Sequence, residues 1–293
     1  MKRTYQFIVN PVAGPKNNVR YFKALKAVLN QRGIAFDSQK TKRAGHATEL
    51  VKKLLGQQTG IIVSVGGDGT FNEAASALVG TDQQMAHIPR GSGNGLARML
   101  KIPNKIDRIG DYLEWGKAKA IDVGKIGNHN FFCTCGFGFD ALIAHHFDGS
   151  EKRGLKGYVH YVAKSFFRFK GVEAQFALDG KAYQGRYFTV TIANANQYGN
   201  DAFIAPSAEL EDGLLNVTMI KPFPVWYAPV LAVALFGNWI DKARYVETCK
   251  VREVEIRSLS QPYFHADGDV YQLQLPAKIT VQPQALNLLV PSL

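Results

Sequence analysis

Apolar residues follow two different patterns along the chain. Residues 4–9 read as a strand, and Val19, Phe22, Leu25 and Leu29, spaced by three and four, predict a helix that stops at Gly33. The same reasoning predicts strands over 34–41, 61–65 and 85–89, and helices over 46–55, 72–78 and onward from Leu96. Residues 61–65, Ile-Ile-Val-Ser-Val, are apolar on both faces, as in an interior strand of a parallel sheet. Four αβ alternations within the first hundred residues predict a doubly wound α/β domain over residues 1–120.

Beyond residue 120 short alternating strands take over, at 175–178, 186–193, 214–220, 246–257 and 278–281, with Asp179-Gly180 as a hairpin turn. This predicts a β-rich second domain over 121–284, a β-sandwich with helices inserted at about 140–168. The apolar stretch 286–290 fits either domain by pattern, and residues 285–293 are assigned to pack back on the first. Residues 222–240 carry no charge, but three prolines, Gly237 and Asn238 interrupt them, leaving an apolar run too short to span a bilayer. A buried helix is expected there. Trp226, Tyr227 and Trp239 also suit a lipid interface, and the segment suits a homodimer partner equally well.

With 46% hydrophobic and 20% charged residues, the composition excludes disorder and fibrous classes. The three cysteines, Cys133, Cys135 and Cys249, read as reduced thiols. The first apolar run ends at Asn10-Pro11, too short for a signal peptide, which predicts a cytoplasmic protein. The net charge of +11 is carried entirely by residues 1–120, which hold 19 Lys and Arg against 8 Asp and Glu; residues 121–293 balance at 16 each. A basic first part calls for an anionic partner: a nucleotide or an anionic membrane surface. Nucleic acid is not expected, because no basic patch is interleaved with aromatic residues.

Two glycine loops carry the chemistry. Gly66-Gly67-Asp68-Gly69-Thr70 follows the apolar third strand and opens a helix, where free N–H groups and absent Cβ atoms let a phosphate approach. Thr70 suits a helix cap or a phosphate donor, and Asp68 beside a phosphate calls for Mg²⁺ between them. The second loop, Gly91-Ser92-Gly93-Asn94-Gly95, follows the next strand with Arg90 and Arg98 on its flanks; Ser92 and Asn94 suit phosphate oxygens. No Walker A or protein-kinase signature occurs. Gly136-x-Gly138-x-x-Ala141 lies outside any βαβ unit and is set aside as a chance dinucleotide pattern. Further acids are Asp122, Asp212 before Gly213, which fits a turn or a metal ligand, and the late pair Asp267-Gly268-Asp269.

Taken together, GGDGT at 66–70, Asn10-Pro11 with Gly14, Pro89-x-Gly-Ser-Gly-Asn94, Asp212-Gly-Leu-Leu215 and the late Asp-Gly-acid resemble the diacylglycerol kinase catalytic family, in particular soluble bacterial lipid kinases that are also similar to sphingosine kinases. The resemblance spans nearly the whole chain. It implies a first domain like those of NAD kinases and phosphofructokinases, and an ATP- and Mg²⁺-dependent transfer of phosphate to a lipid hydroxyl. It implies Asp267 as general base with Asp269 as its acidic neighbour, and nucleotide contacts at Asn10, Thr41, Gly66, Gly67, Asp68, Gly69, Thr70, Asn72, Ser92 and Asn94. It further implies a magnesium-linked network at Asp68 and Asp122, and a structural metal loop that uses the Asp212 side chain and the backbone carbonyls of Glu209 and Leu214. Asp269 stands where the family usually has Glu. Gly95 stands where bacterial diacylglycerol kinases usually have Asp, a departure toward sphingosine and ceramide kinases that leaves the acceptor between diacylglycerol-like and sphingoid lipids. The protein implied is cytoplasmic and peripheral at the inner face of the membrane. Two alternatives remain at this level: a kinase of a soluble substrate, resembling NAD kinase, and a non-catalytic lipid- or nucleotide-sensing module.

Overall fold

The computed structural model describes residues 3–14, 18–57, 60–147, 162, 164–261 and 263–292. The chain forms two compact units, residues 1–123 with 283–293, and residues 124–282.

In the first unit β1 (Thr4–Val9), β2 (Ala35–Lys40), β3 (Ile61–Gly66), β4 (Gln84–Pro89) and the second half of β16 (Ala277–Val290) lie in the order β2-β1-β3-β4-β16. Every neighbouring pair is parallel. All six residues of β3 are buried, as its two apolar faces require. On one face Val63 and Val65 pack with Phe7 of β1, Leu25 and Leu29 of α1 (Asn18–Gln31), Leu113 of α5 (Ile106–Trp115) and Leu289 of β16. The stretch 286–290, which pattern alone left unplaced, is thus a core strand: Tyr112 of α5 donates its hydroxyl to the Leu289 carbonyl at 2.8 Å.

Two expectations change. The residue that α1 buries at its start is Asn18, while Val19 is 42% exposed. Asn18 is drawn inward because its side chain donates to the Asn10 carbonyl at 2.6 Å and accepts from Arg90 at 3.3 Å. Helix α3 (Asp68–Ser76) begins four residues before the expected Asn72, because Gly67 adopts the extended cap conformation and Asp68 and Gly69 form the first turn.

On the opposite face of the sheet Ser64 and His87 meet at 2.8 Å, with Phe71 of α3 edge-on to the imidazole at 5.0 Å. Burial holds the His87 pKa down at about 4, against a smaller opposing contribution from Ser64. Between pH 4 and 6.5 the unfolded chain therefore binds a proton that the folded chain refuses. The stability His87 contributes is present above pH 6.5 and is lost as pH falls toward 4, by about 3 kcal/mol. Unfolding free energies from urea titrations at pH 7 and pH 4 are expected to differ by that much less in the double variant Ser64→Ala, His87→Leu.

The second unit is a β-sandwich. One antiparallel sheet runs β12-β11-β10-β7-β14-β15, formed by Val246–Val251, Leu215–Ile220, Thr189–Ala193, Thr134–Gly138, Tyr263–Ala266 and Asp269–Gln272. The other pairs β8 (Val172–Leu178) with β9 (Lys181–Tyr187) and β13 (Glu253–Leu259), and β13 with the first half of β16. Phe137, Phe176, Phe264, Val217 and Ile256 fill the space between them. The stretches 186–193 and 246–257, read as single strands, are each two strands in different sheets. The chain changes sheet at Phe188 and at Arg252, two sandwich corners that carry no turn residues. Of the helices expected at 140–168, α6 (Phe139–Phe147) is present, while residues 148–161 and 163 lie outside the described residues.

The 222–240 stretch contains α7 (Ala228–Phe236), which buries only Leu231 and Ala234 rather than its whole surface. No helix among the described residues is long and apolar enough to cross a membrane.

Candidate functional site

The strand order places β2 on one side of β1 and β3 on the other, so the connections diverge at β1 and β3. Open α/β sheets bind ligands at the carboxyl ends of such a pair. The residues there are Asn10 to Gly14 after β1 and Gly66-Gly67 after β3. Asn10 donates its side-chain amide to the Thr70 hydroxyl oxygen at 3.0 Å and accepts the Val12 N–H at 3.1 Å. Thr70 is therefore held by Asn10, and α3 has glycine, Gly67, at its N-cap and so no side-chain cap there. Thr41, just past β2, is buried and donates its N–H to the Val9 carbonyl.

The second loop is joined to the first by backbone. A Cβ on Gly91 would lie 2.8 Å from the Gly67 Cα, and one on Gly66 would lie 2.4 Å from the Thr70 Oγ1. The Arg90 N–H bonds the Gly66 carbonyl at 2.6 Å. Asn94 takes the left-handed conformation (φ 51°); its side chain accepts the Gly91 N–H at 3.0 Å and donates to the Gly91 carbonyl at 2.7 Å. Asp68 bridges the loops, its Oδ2 accepting the Asn94 N–H at 2.8 Å. Burial pushes the Asp68 pKa up, opposed by the N–H groups of Asn94, Asp68 itself and Gly95. Asp68 thus has a structural task that its sequence context did not reveal. Ser92 stands exposed on the loop, and Asn72 turns to Ser76 one helical turn on, at 3.2 Å. Arg98 donates to the Gly93 carbonyl at 3.0 Å.

Asp122 is fully buried in β5 (Lys117–Ile126) and accepts the Gln284 N–H at 2.7 Å, at a left-handed kink in β16 (φ 49°). Among the described residues no three His, Cys, Asp or Glu side chains converge as a metal cage. Mg²⁺ is ordinarily held by one or two carboxylates together with nucleotide phosphates, and Asp68, in the first turn of α3, is the carboxylate that the glycine loops offer. The loop expected to hold a structural metal is different. Lys250 places its ammonium 2.7 Å from Asp212 and 3.3 Å from Glu209, and Asp212 Oδ1 accepts the Leu214 N–H at 3.0 Å. Lys250 thus sets a cation of the chain's own beside these two carboxylates.

In the second unit Asp267 and Gly268 both have positive φ, 50° and 93°, the two-residue turn of the β14–β15 hairpin. The Asp267 carboxylate accepts three backbone N–H groups: Phe132 at 2.8 Å on Oδ2, and Cys133 at 2.8 Å and Thr134 at 3.1 Å on Oδ1. It is fixed in direction. Asp269 is exposed at the start of β15.

Sequence reasoning missed Asp140. Its Oδ2 accepts from Thr191 at 3.0 Å, Tyr198 at 3.1 Å and His265 Nε2 at 3.1 Å. Burial pushes the Asp140 pKa up, but the His265 charge and hydrogen bond, with those of Thr189 and Ala141, bring it below the ordinary value. Burial also drives the Cys135 thiol well up, with Asp267 and Asp140 adding to the effect, so both acids act on one buried sulfur. A usable signal was present: Gly136 and Gly138 precede Asp140 at a strand-to-helix junction. A Cβ at either would lie within 2.6 Å of a β10-side carbonyl, 2.4 Å from that of Val190 and 2.6 Å from that of Phe188.

A family model of the diacylglycerol kinase catalytic domain matches residues 4–126, and one of the YegS C-terminal NAD kinase beta sandwich-like domain matches residues 133–290. The chain belongs to the diacylglycerol kinase catalytic family. The diacylglycerol kinase of Bacillus subtilis strain 168 is 25% identical over 99% of this chain and 97% of its own length. That of Mycobacterium tuberculosis strain CDC 1551 / Oshkosh is 27% identical over 97% and 94%. A crystal structure of a diacylglycerol kinase from Bacillus anthracis str. Sterne superposes with a TM-score of 0.73 at 18% identity, covering 98% of this chain and 97% of that one, which shows a shared fold. Membership in this kinase family accounts for the two glycine loops and the sandwich together.

Proposed function

We propose that the protein transfers the γ-phosphate of ATP to a lipid hydroxyl, with a diacylglycerol-like or sphingoid acceptor. The observation that carries this reading is the backbone contact between Gly67 and Gly91 at the β1/β3 divergence, beside an α3 N-terminus without a side-chain cap. Phosphoryl transfer asks the protein chiefly to position the groups and neutralise their charge. In this reading the α3 N–H groups, Thr70, Ser92 and Asn94 bind nucleotide phosphates, and Asn10 and Thr41 line the same strand ends. Mg²⁺, when bound with the nucleotide, would supply charge neutralisation on the phosphates, and Asp68 and Asp122 are the acids that would hold it.

Asp267 receives the acceptor hydroxyl proton through Oδ2, the oxygen that takes one of the three N–H groups. Those N–H groups fix its orientation. Transfer through a loose transition state places little demand on base strength. Asp269 is the neighbouring charge. Gly95 begins α4 (Gly95–Met99), where a side-chain carboxylate would add a second negative charge beside Asp68.

The test is transfer from labelled ATP with Mg²⁺ to diacylglycerol, monoacylglycerol, sphingosine and ceramide in mixed micelles, with NAD as the soluble control. A labelled lipid is the expected result. Label in NAD with none in any lipid, or bound ATP with no transfer at all, overturns the proposal.

A further inference from the structure

Residues 222–240 contain no Asp, Glu, Lys or Arg, yet they lie at the surface of the second unit. The inner side of α7 is accounted for: Leu231 and Ala234 pack with Ile204, Ile220, Ile240 and Val246. The outer side is not. Trp226 is 69% exposed, Val233 62% and Phe236 60%, with Val225 and Val230 beside them. Spacings of four, three and three, from 226 through 230 and 233 to 236, put these on one stripe if the turn Val225–Tyr227 leads directly into α7, as it does. Water-facing helices in globular proteins carry polar residues on that side; this one has none.

The surroundings specify the partner. Aromatic rings border the stripe in contact with one another: Trp226 with Tyr227, Tyr227 with Tyr245, and Tyr245 with Phe223, at centroid distances of 5.7, 4.9 and 6.3 Å. Tyr and Trp prefer the headgroup level of a bilayer because their rings are apolar and their edges polar. The charged residues that flank the segment in sequence are mostly cations. Lys221 precedes it, and Lys242 and Arg244 follow, Arg244 lying over the Tyr245 ring at 5.6 Å; Asp241 and Glu247 are the acids, the latter paired with Lys221. Apolar centre, aromatic rim and the cations Lys242 and Arg244 at the helix's C-terminal side together match an interfacial helix on an anionic membrane. A nine-residue helix beginning at Ala228 lies in the plane of such a surface and does not cross it.

We infer that α7 with Trp226 is a bilayer-docking surface, inserting Trp226, Val230, Val233 and Phe236 among the headgroups of anionic phospholipid. The inference deepens the lipid-kinase reading and rests on it for preferring a bilayer to other apolar partners.

The full-length protein, without ATP or diacylglycerol, is mixed with phosphatidylcholine vesicles with and without phosphatidylglycerol and sedimented. The expected result is binding that is stronger with phosphatidylglycerol and weakened by salt, with a blue shift of tryptophan emission that Trp226→Phe abolishes. Val233→Glu with Phe236→Glu is expected to cut partitioning by at least about tenfold at unchanged Tm. Val233→Glu alone serves if the pair fails to fold. Wild-type partitioning by a folded variant overturns the inference. So does a solution dimer that these substitutions convert to monomer while vesicles bind neither form, since a second copy is then the occupant. Transfer to short-chain diacylglycerol dispersed in detergent is measured separately on the unaltered protein. Its failure beside intact vesicle binding removes the kinase reading and leaves the docking surface.

Discussion

Asp267→Asn is expected to lower phosphate transfer by about 10²- to 10⁴-fold, the range for loss of a positioned base, while the Kd for MgATP changes less than about twofold. The nucleotide loops belong to a different unit of the chain, which is why binding is spared. A confounding effect is visible in the hydrogen bonds. An asparagine at 267 turns an N–H donor toward a backbone N–H, costing about 1–3 kcal/mol whatever the catalytic role. The protein contains its own control. Asp179-Gly180 is the same left-handed turn, φ 45° and 84°, and the Asp179 carboxylate likewise accepts the N–H groups of Arg252, at 3.0 Å, and Glu253, at 2.9 Å. Asp179→Asn should therefore lower Tm comparably and leave kcat within a factor of about three. Near-normal turnover in Asp267→Asn, or an equal loss of turnover in Asp179→Asn, would show that the carboxylate at 267 only holds a loop.

The second large effect is at Gly91. The added methyl group of Gly91→Ala meets the Gly67 Cα and the Asn94 Oδ1, both at 2.8 Å, and neither belongs to a side chain free to swing away. The loops must part, straining the Arg90 to Gly66 and Asn94 to Asp68 bonds. A cost of about 1–3 kcal/mol corresponds to a loss of MgATP affinity of about 5- to 150-fold by calorimetry. Gly69→Ala separates ligand from fold. Nothing lies within 4 Å of a Cβ there, and alanine within α3 is favoured over glycine, so Tm should hold or rise. Weaker ATP binding in Gly69→Ala then marks the phosphate position; unchanged binding would place the nucleotide elsewhere.

The parallel half of the fold was legible because β3 is apolar on both faces and α1 carries a clear helical spacing. The sandwich was less so. Its strands change sheet at Phe188 and Arg252, where neither residue is glycine or proline, and alternation continues through the corner while the partner strands change. The glycine loops were legible as phosphate cradles, but the task of Asp68 was not, since only the fold brings Asn94 to its carboxylate. The acids divide similarly. Asp179 and Asp267 both read as Asp-Gly turns, the second set apart only by Asp269, and the pairing of Asp212 with Lys250, 38 residues away, is visible only in the fold. Asp140 was hidden because its partners Thr191, Tyr198 and His265 arrive from three distant segments.

The strand Ala277–Val290 has a consequence for synthesis. Leu286, Leu288 and Leu289 are fully buried, and Asn287 and Leu288 pair with Gln84 and Met85 of β4. Residues 283–290 emerge from the ribosome after all of the second unit. Until then β4 presents an open, apolar edge, the kind of template on which nascent chains aggregate. The unit that is translated first is therefore completed last, and the ribosome-bound chain depends on whatever shields β4 during the interval.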